Sequence, residues 1–263
     1  MIGINRQQYY RSIKASLDRK KQVALVLSLV ESVRTRLPRL GGRKLYHILY
    51  SALEKIKVGR DKLFDILRSN RLLIKPKKRY HVTTNSFHRF KKHKNKIENL
   101  RIIRPEQVVV SDITYLGNRT KPMYLALVTD AYSKKILGYD VSDSLNTIGA
   151  LNALKMAIKN RRYKTEKLIH HSDRGIQYCS KAYTQLLNQK SIQISMAGKG
   201  NCYENAMAER INGILKDEFF LDQNFKKKSF AIKSTKQAIE LYNNVRTHMA
   251  IGYITPNQKH YAA

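Results

Sequence analysis

Between residues 108 and 171 the chain writes three strand-like runs, one helix and a fourth strand, and this order constrains the fold more than any other feature. Val108–Leu116, Met123–Thr129 and Lys135–Val141 are rich in β-branched and aromatic residues, and short polar stretches beginning at Gly117 and Asp130 separate them. Asn146–Asn160 changes to a helical period, with Leu151, Leu154 and Ile158 on one side, and Leu168–His171 returns to strand. Short loops join antiparallel strands, whereas a helical crossover of the usual hand brings the returning strand back parallel to the first. The expectation is an α/β fold built on a mixed sheet flanked by helices, in which Asp173 comes to lie beside Asp112.

Three acids stand out against that frame. Asp112 sits inside the first strand, Asp173 ends the apolar run Lys167-Leu-Ile-His-His-Ser-Asp, and Glu209 lies in the helical run 205–216. At 3.6 residues per turn Asn205, Glu209, Asn212 and Lys216 share one face of that helix, and Met207, Ile211, Ile214 and Leu215 form an apolar stripe opposite. The helix alone is equally an ordinary amphipathic helix with a solvated polar face. Two aspartates and a glutamate are, however, the donor set a two-magnesium phosphoryl-transfer site uses. Magnesium takes octahedral oxygen coordination from one or two carboxylates, water and substrate phosphate, and two ions about 3.5–4 Å apart activate the attacking oxygen and stabilise the leaving one. Asp130 and Asp140 fall at strand ends, where aspartate caps turns. His170 and His171 have no third nitrogen or sulfur ligand at a recognisable spacing, which argues against zinc and for a positioning role. The stretch Gly198-Lys199-Gly-Asn201 fits a mobile basic loop near substrate or a plain structural turn.

Charge names the partner class. The formal net charge is +32, and a surface so basic repels itself unless it meets a polyanion. Residues 1–104 hold 28 Lys and Arg against 6 Asp and Glu, and residues 105–263 hold 23 against 13, so the front of the chain is the stronger clamp for double-stranded DNA. Cys179 and Cys202 lack the paired spacing of a zinc site and make no disulfide framework, which reads as reduced cytosolic thiols. No apolar run approaches the roughly 18 residues of a membrane span, and no signal peptide opens the chain, so a cytoplasmic, nucleoid-associated protein is expected.

Four segments follow from composition and periodicity. Residues 1–30 form a basic arm, or a short helix packing into the next unit. Residues 31–74 carry two helical runs, Arg43–Leu53 and one marked by Leu63, Phe64, Ile66 and Leu67, with a break at Lys57-Val-Gly59. That is helix-turn-helix spacing, in which the second helix enters the major groove, and it nominates Arg60, Lys62, Arg68 and Arg71 as DNA contacts. A small helical bundle with a solvated basic face fits the same pattern. Residues 75–104 are a basic linker, with Lys77, Lys78 and Arg79 placed to ride the phosphate backbone. Residues 105–263 are the catalytic core, closing with a basic patch at 224–229, a helix Phe230–Asn244 and a tail Tyr253–Ala263.

Several words in the core carry a resemblance: Asp112-Ile-Thr-Tyr115, His170-His-Ser-Asp-Arg-Gly-Ile-Gln-Tyr178, Ser195-Met196, Gly200-Asn-Cys-Tyr-Glu-Asn-Ala206, Ala208-Glu209, Leu215-Lys216, Tyr242-Asn243, Arg246, His248 and Pro256. Over roughly residues 105–260 the chain resembles the integrase-like transposases of bacterial insertion sequences, whose catalytic protein comes from the second of two overlapping reading frames. The resemblance implies a ribonuclease-H-like core shared with retroviral integrases, preceded by a small all-α module. It implies Asp112, Asp173 and Glu209 as the acidic triad on two magnesium ions, with manganese able to substitute, and Lys216 as a substrate contact, joined by Asn212, Arg210 and Lys199. It further implies assembly as a homo-oligomer on DNA, with an upstream-frame fusion or partner. The chain departs from the family pattern in lacking any Trp and in having Glu204, Arg210 and Thr247 where Asp, Ser and Pro are usual. A ribonuclease-H-like nuclease without strand transfer and a non-catalytic DNA-binding regulator share these features in part.

Overall fold

Strand alternation decides which side chains meet. The computed structural model describes residues 5–75, 89–117, 122–198 and 206–262, and the chain divides into two units, Met1–Lys77 and Lys78–Ala263. The second unit is built on five strands, β1 (Val108–Leu116), β2 (Met123–Asp130), β3 (Ile136–Ser142), β4 (Ile169–Ser172) and β5 (Gln193–Met196), in the spatial order β3-β2-β1-β4-β5. The β1–β2 and β2–β3 pairs are antiparallel, and β1–β4 and β4–β5 are parallel, as the three runs and the helical crossover α5 (Thr147–Lys159) require. β5 was not among the expected strands. It is a four-residue edge strand in which only Ile194 and Met196 carry the buried alternation, too short to register as a period.

Both faces of the sheet are covered. Val109, Ala126, Val128 and Leu137 pack against α5 and against α6 (Ile176–Cys179) and α7 (Lys181–Gln189), through Leu154, Tyr178 and Tyr183. The alternate residues Leu116, Leu125 and Leu127 pack against α8 (Ala206–Glu218) and α9 (Lys228–Asn244), through Ile211, Ile214, Leu215 and Tyr242. Asp112 shares the parity of Val110 and Leu116 and therefore lies on the α8 side. Part of the expected linker belongs to this core, because Ile97, Leu100 and Ile102 pack against Val108, Val110 and Ala208, and the Lys96 amide donates to Ser195 Oγ at 2.9 Å.

Gly138 shows how closely α5 is laid on the sheet. A Cβ there would stand 2.1 Å from the Ala153 carbonyl oxygen and 2.6 Å from the Ala157 nitrogen, both backbone atoms that cannot swing aside. Gly138→Ala is therefore expected to push α5 off β3, with a loss on the order of 3 kcal/mol or more in urea unfolding; an unchanged midpoint would show that the contact is looser than drawn.

The expected tail is a docked helix, α10 (Pro256–Tyr261). Thr255 and Gln258 form a capping box and Pro256 occupies the first turn, a start signal present in the sequence. α10 delivers His260 into a buried polar cluster where Nδ1 meets Ser133 Oγ at 3.0 Å and Nε2 lies 3.3 Å from Glu106 Oε1. Asp130 accepts from the Glu106 amide at 2.7 Å and from Ser133, and Arg161 donates to Glu106 at 3.2 Å. Burial pushes the His260 pKa down, but the Asp130 and Glu106 carboxylates outweigh it and hold it above 6.5. A raised folded value stabilises fully below 6.5 and is lost as pH rises through it. His260→Gln is expected to cost about 2–3 kcal/mol at pH 6 and to erase that limb of the stability profile; a wild-type profile flat above pH 6.5 would exclude a charged His260.

In the first unit, α1 (Arg6–Arg34) is one 29-residue helix capped by Asn5 and Gln8. It runs through residue 30, where the basic arm was expected to end, and its first buried residue is Val26. The expected single run Arg43–Leu53 is two helices, α2 (Gly42–Ile48) and α3 (Tyr50–Lys55), interrupted at Leu49, and α4 (Arg60–Ser69) follows a four-residue turn containing Lys57 at φ 56°. Val30, Leu45, Leu53, Leu63 and Leu67 form the buried interior.

Candidate active site

The register of β1 against β4 brings the first two acids together. Val108 pairs with Ile169 and each following residue with the next, up to Ser111 with Ser172. One further step sets Asp112 opposite Asp173, the first residue beyond β4, and pairing stops there. In parallel strands partners in register point to the same face, so both carboxyls leave on the side covered by α8. Asp173 is fixed by an Asx turn, its Oδ1 accepting from the Gly175 amide at 2.9 Å. A Cβ on Gly175 would lie 3.0 Å from that oxygen and 3.2 Å from Gln177 Oε1, so a small residue keeps the turn tight.

α8 supplies the third acid. Ala208, Ile211, Ile214 and Leu215 are buried, which turns Glu209 and Arg210 outward and leaves Lys216 half-buried. Asn212 is only 4% exposed, and its Nδ2 donates to Asp112 Oδ2 at 2.7 Å, while its own Oδ1 is buried without a hydrogen-bond partner. The sequence reading put Asn212 on the DNA strand; in the structure its amide holds Asp112. Gly175 was quoted in a motif but given no role, although an Asp-x-Gly word after a strand is the signal of an Asx turn.

The electrostatics converge on Asp112. Burial, then the Asp173 charge and the Glu209 charge, push its carboxyl up to about 7, against stabilising hydrogen bonds from the Ile113 amide and Asn212. Burial, then Tyr183 and the Asp112 and Asp173 charges, raise the Tyr178 hydroxyl, and burial with Asp173 raises the Cys179 thiol. A site that concentrates negative potential on oxygen donors fits a hard divalent cation in its chemistry. Among the described residues no three His, Cys, Asp or Glu side chains stand together as a closed ligand set, so the acids approach one another in charge without sharing one coordination point.

The two histidines are core residues. His170 Nε2 meets Ser111 Oγ at 2.8 Å and Tyr183 OH at 2.9 Å on the α7 side, and His171 Nδ1 meets Ser195 Oγ at 2.9 Å. Burial, then the neighbouring His171, pushes the His170 pKa down to about 3, which keeps it neutral. They brace the end of β4 from which Asp173 emerges. Of the remaining nominated residues, Lys199, Lys77, Lys78, Arg79 and Asn205 lie outside the described residues, as do Cys202 and Glu204. Arg60, Lys62, Arg68 and Arg71 are exposed on or just after α4, in the other unit; Arg60 pairs with Asp61, Arg68 with Asp65, and Lys62 donates to Gln22.

Comparison with known proteins identifies the family of the chain. Two integrase core domain families match residues 103–202 and 190–256. The 31 kDa protein of insertion element IS600 of Shigella sonnei is 35% identical over 97% of this chain and 94% of its own length. The chain belongs to the insertion-element transposases with an integrase core. The transposase of IS629 of Shigella sonnei is 36% identical over 58% of the chain and 51% of its own length, and transposase InsF of IS3A of Escherichia coli K12 is 36% identical over 59% and 54%. The chain thus spans about half the length of those two transposases. The simian T-cell lymphotropic virus intasome, solved with the PP2A regulatory subunit B56 gamma, aligns over 85% of this chain and 75% of that one with a TM-score of 0.52 and 17% identity, a likeness of fold. The fold of this integrase-core chain is ribonuclease-H-like. Among the described residues no helix is long and apolar enough to cross a membrane.

Proposed function

We propose that this chain cuts double-stranded DNA at the ends of an insertion element and joins the freed 3′-hydroxyl to another phosphate, with Asp112, Asp173 and Glu209 as its catalytic acids. The observation that carries the reading is the β1–β4 register, which sets Asp112 and Asp173 side by side under the helix that bears Glu209. Two magnesium ions, or manganese in their place, supply Lewis acidity for the attacking oxygen and charge neutralisation for the leaving one. Asp112 and Asp173 would hold these ions from the end of the sheet, with Glu209 contributing from α8. Asn212 orients the Asp112 carboxyl by its 2.7 Å hydrogen bond to Oδ2, so that the group would face a bound ion. Lys216, with Arg210 and Lys199, orients the strand by its phosphates, and Arg60, Lys62, Arg68, Arg71, Lys77, Lys78 and Arg79 hold the duplex. Two element ends have to be brought together, so the working form is a homo-oligomer on DNA, joined or fused to the product of an upstream frame.

The test is strand transfer on labelled element ends with magnesium, comparing wild type with Asp173→Asn and Glu209→Gln. Each substitution is expected to lower joining by roughly three orders of magnitude while DNA binding persists. Wild-type nicking without joining would replace the proposal with a nuclease, and joining that survives either substitution would remove that residue from the site.

A further inference from the structure

We propose that a patch of tyrosines and cations at the β2–β3 turn and α10 is a separate DNA contact on the core, a clamp for duplex phosphates at the end of the sheet away from the catalytic acids. This deepens the transposase reading and rests on it for the identity of the polyanion. Three segments meet here: Tyr132 and Lys135 from the turn between β2 and β3, Arg162 and Tyr163 from the loop after α5, and Lys259 and Tyr261 from α10. Lys135 Nζ lies 4.1 Å from the centre of the Tyr261 ring and 2.6 Å from its hydroxyl. The Arg162 guanidinium stands 5.1 Å from the same ring and 5.7 Å from that of Tyr163, and Lys259 Nζ lies 4.6 Å from the Tyr132 ring.

Charge is sorted by depth in this patch. Glu106 and Asp130 are fully buried beneath it. Glu106 accepts from the backbone amides of Arg162 and Tyr163 at 2.8 and 3.1 Å, and Asp130 accepts from the Ser133 amide and hydroxyl, so the two acids fix the backbone that carries the patch. The exposed acid of the loop after α5, Glu166, pairs with Arg104. Among the described residues none of Lys135, Arg162 and Lys259 forms an ion pair with a carboxylate. A cation resting on a tyrosine face is held in place by the ring yet keeps its full charge, whereas one paired with a carboxylate is already neutralised. Placed and unneutralised cations suit a phosphate, because part of their rotamer freedom is gone before binding and each contact releases a counterion.

Strand register locates the patch. Asp112 pairs with Leu127 and Val109 with Asp130, so Ala131, at the start of the turn, lies four residues along the chain from the partner of Asp112. At about 3.3 Å per residue that is on the order of 13 Å. Arg162 precedes β4, whose opposite end releases Asp173. The patch therefore takes a stretch of backbone separate from the scissile phosphate, and contact through phosphates alone carries no sequence preference.

Titration of the full chain with a fluorescently labelled duplex of arbitrary sequence, over a range of salt, tests this. Arg162→Gln and Lys259→Gln are each expected to reduce the slope of log affinity against log salt by about one. Lys155→Gln, an equal loss of charge at an exposed position of α5, is expected to leave the slope as in wild type. Tyr261→Ala is the sharper variant because it keeps every charge. Loss of the ring under Lys135 and Arg162 is expected to lower affinity roughly 3- to 10-fold, and Tyr261→Phe, which retains the ring, to restore most of it. Melting temperatures show whether α10 stays docked, and Arg162→Gln, at an exposed position outside α10, keeps the test open if Tyr261→Ala melts early. Binding by a folded Tyr261→Ala equal to wild type, or glutamine variants no different from Lys155→Gln, would overturn the proposal and leave the patch as packing that seats α10. Joining of precut ends by the same proteins reports on the transposase reading separately, because wild type can fail to join while the slopes still differ as stated.

Discussion

Replacing Asp112 with asparagine will abolish strand transfer and at the same time stabilise the metal-free protein above pH 7. Burial and the Asp173 and Glu209 charges raise this carboxyl from 3.8 to about 7 in the folded chain. The folded state therefore keeps a proton that the unfolded state has released, and stability falls as pH rises between about 4 and 7. Above that window the ionised carboxyl remains a penalty of up to a few kcal/mol, which asparagine lacks. Thermal unfolding in chelator should show wild type losing stability from pH 5 to 7.5 and Asp112→Asn nearly flat up to about pH 6.5, where the His260 limb begins. The His260 limb has the same sign but lies above pH 6.5, so His260→Gln and Asp112→Asn should each remove a different part of the decline. A divalent ion that takes the place of the proton should restore the wild type and leave the variant unchanged, and the effect should grow with pH. An Asp112→Asn protein less stable than wild type in chelator at pH 8 would mean that the three acids do not repel one another in the folded chain.

How much of this was legible in the sequence depends on the range of the interaction. Three strands, a crossover helix and a returning strand could be read because each carries its own period over seven or more residues, except the last, which inherits its place from the crossover. β5 escaped because four residues on an edge hold too few alternations, and α10 escaped although Thr255, Pro256 and Gln258 spell a helix start, because a six-residue helix at the end of a chain looks like a tail. That Asp173 emerges next to Asp112, one residue beyond the last β1–β4 pair, follows from the handedness of one connection, which is a local rule with a long-range result. Asn212 shows the opposite case. The sequence placed it on the polar face with Glu209, yet it is buried against Asp112 while Glu209 is exposed, because the rotation of α8 is set by packing against β1. The clustering of Glu106, Asp130, Ser133 and His260 joins three places in the chain by contacts that leave no periodic trace.

That rotation is itself secured by a buried pair, and its removal should be among the costliest changes to the fold. Arg246 is 1% exposed and donates to Glu218 at 2.7 and 2.8 Å, with its guanidinium over the Tyr242 ring. Glu218 ends α8, where the helix dipole disfavours a carboxylate, so the acid is held there by the arginine and not by the helix. Arg246→Ala removes the bidentate ion pair from a largely buried carboxylate and is expected to destabilise by about 3–5 kcal/mol in urea unfolding. Arg246→Lys keeps the charge but offers no planar fork and should fall between. The pair matters more for geometry than for net stability, so Glu218→Gln with Arg246→Met should recover most of the lost stability, since neutral packing replaces a desolvated ion pair at little cost. Joining activity should not recover with it, because the azimuth of α8 that brings Asn212 onto Asp112 and carries Glu209 is then free to drift. Recovery of activity along with stability would show that Ile211, Ile214 and Leu215 alone set the rotation of the helix. A loss below about 1 kcal/mol for Arg246→Ala would show that the carboxylate finds water or another donor once the arginine is gone.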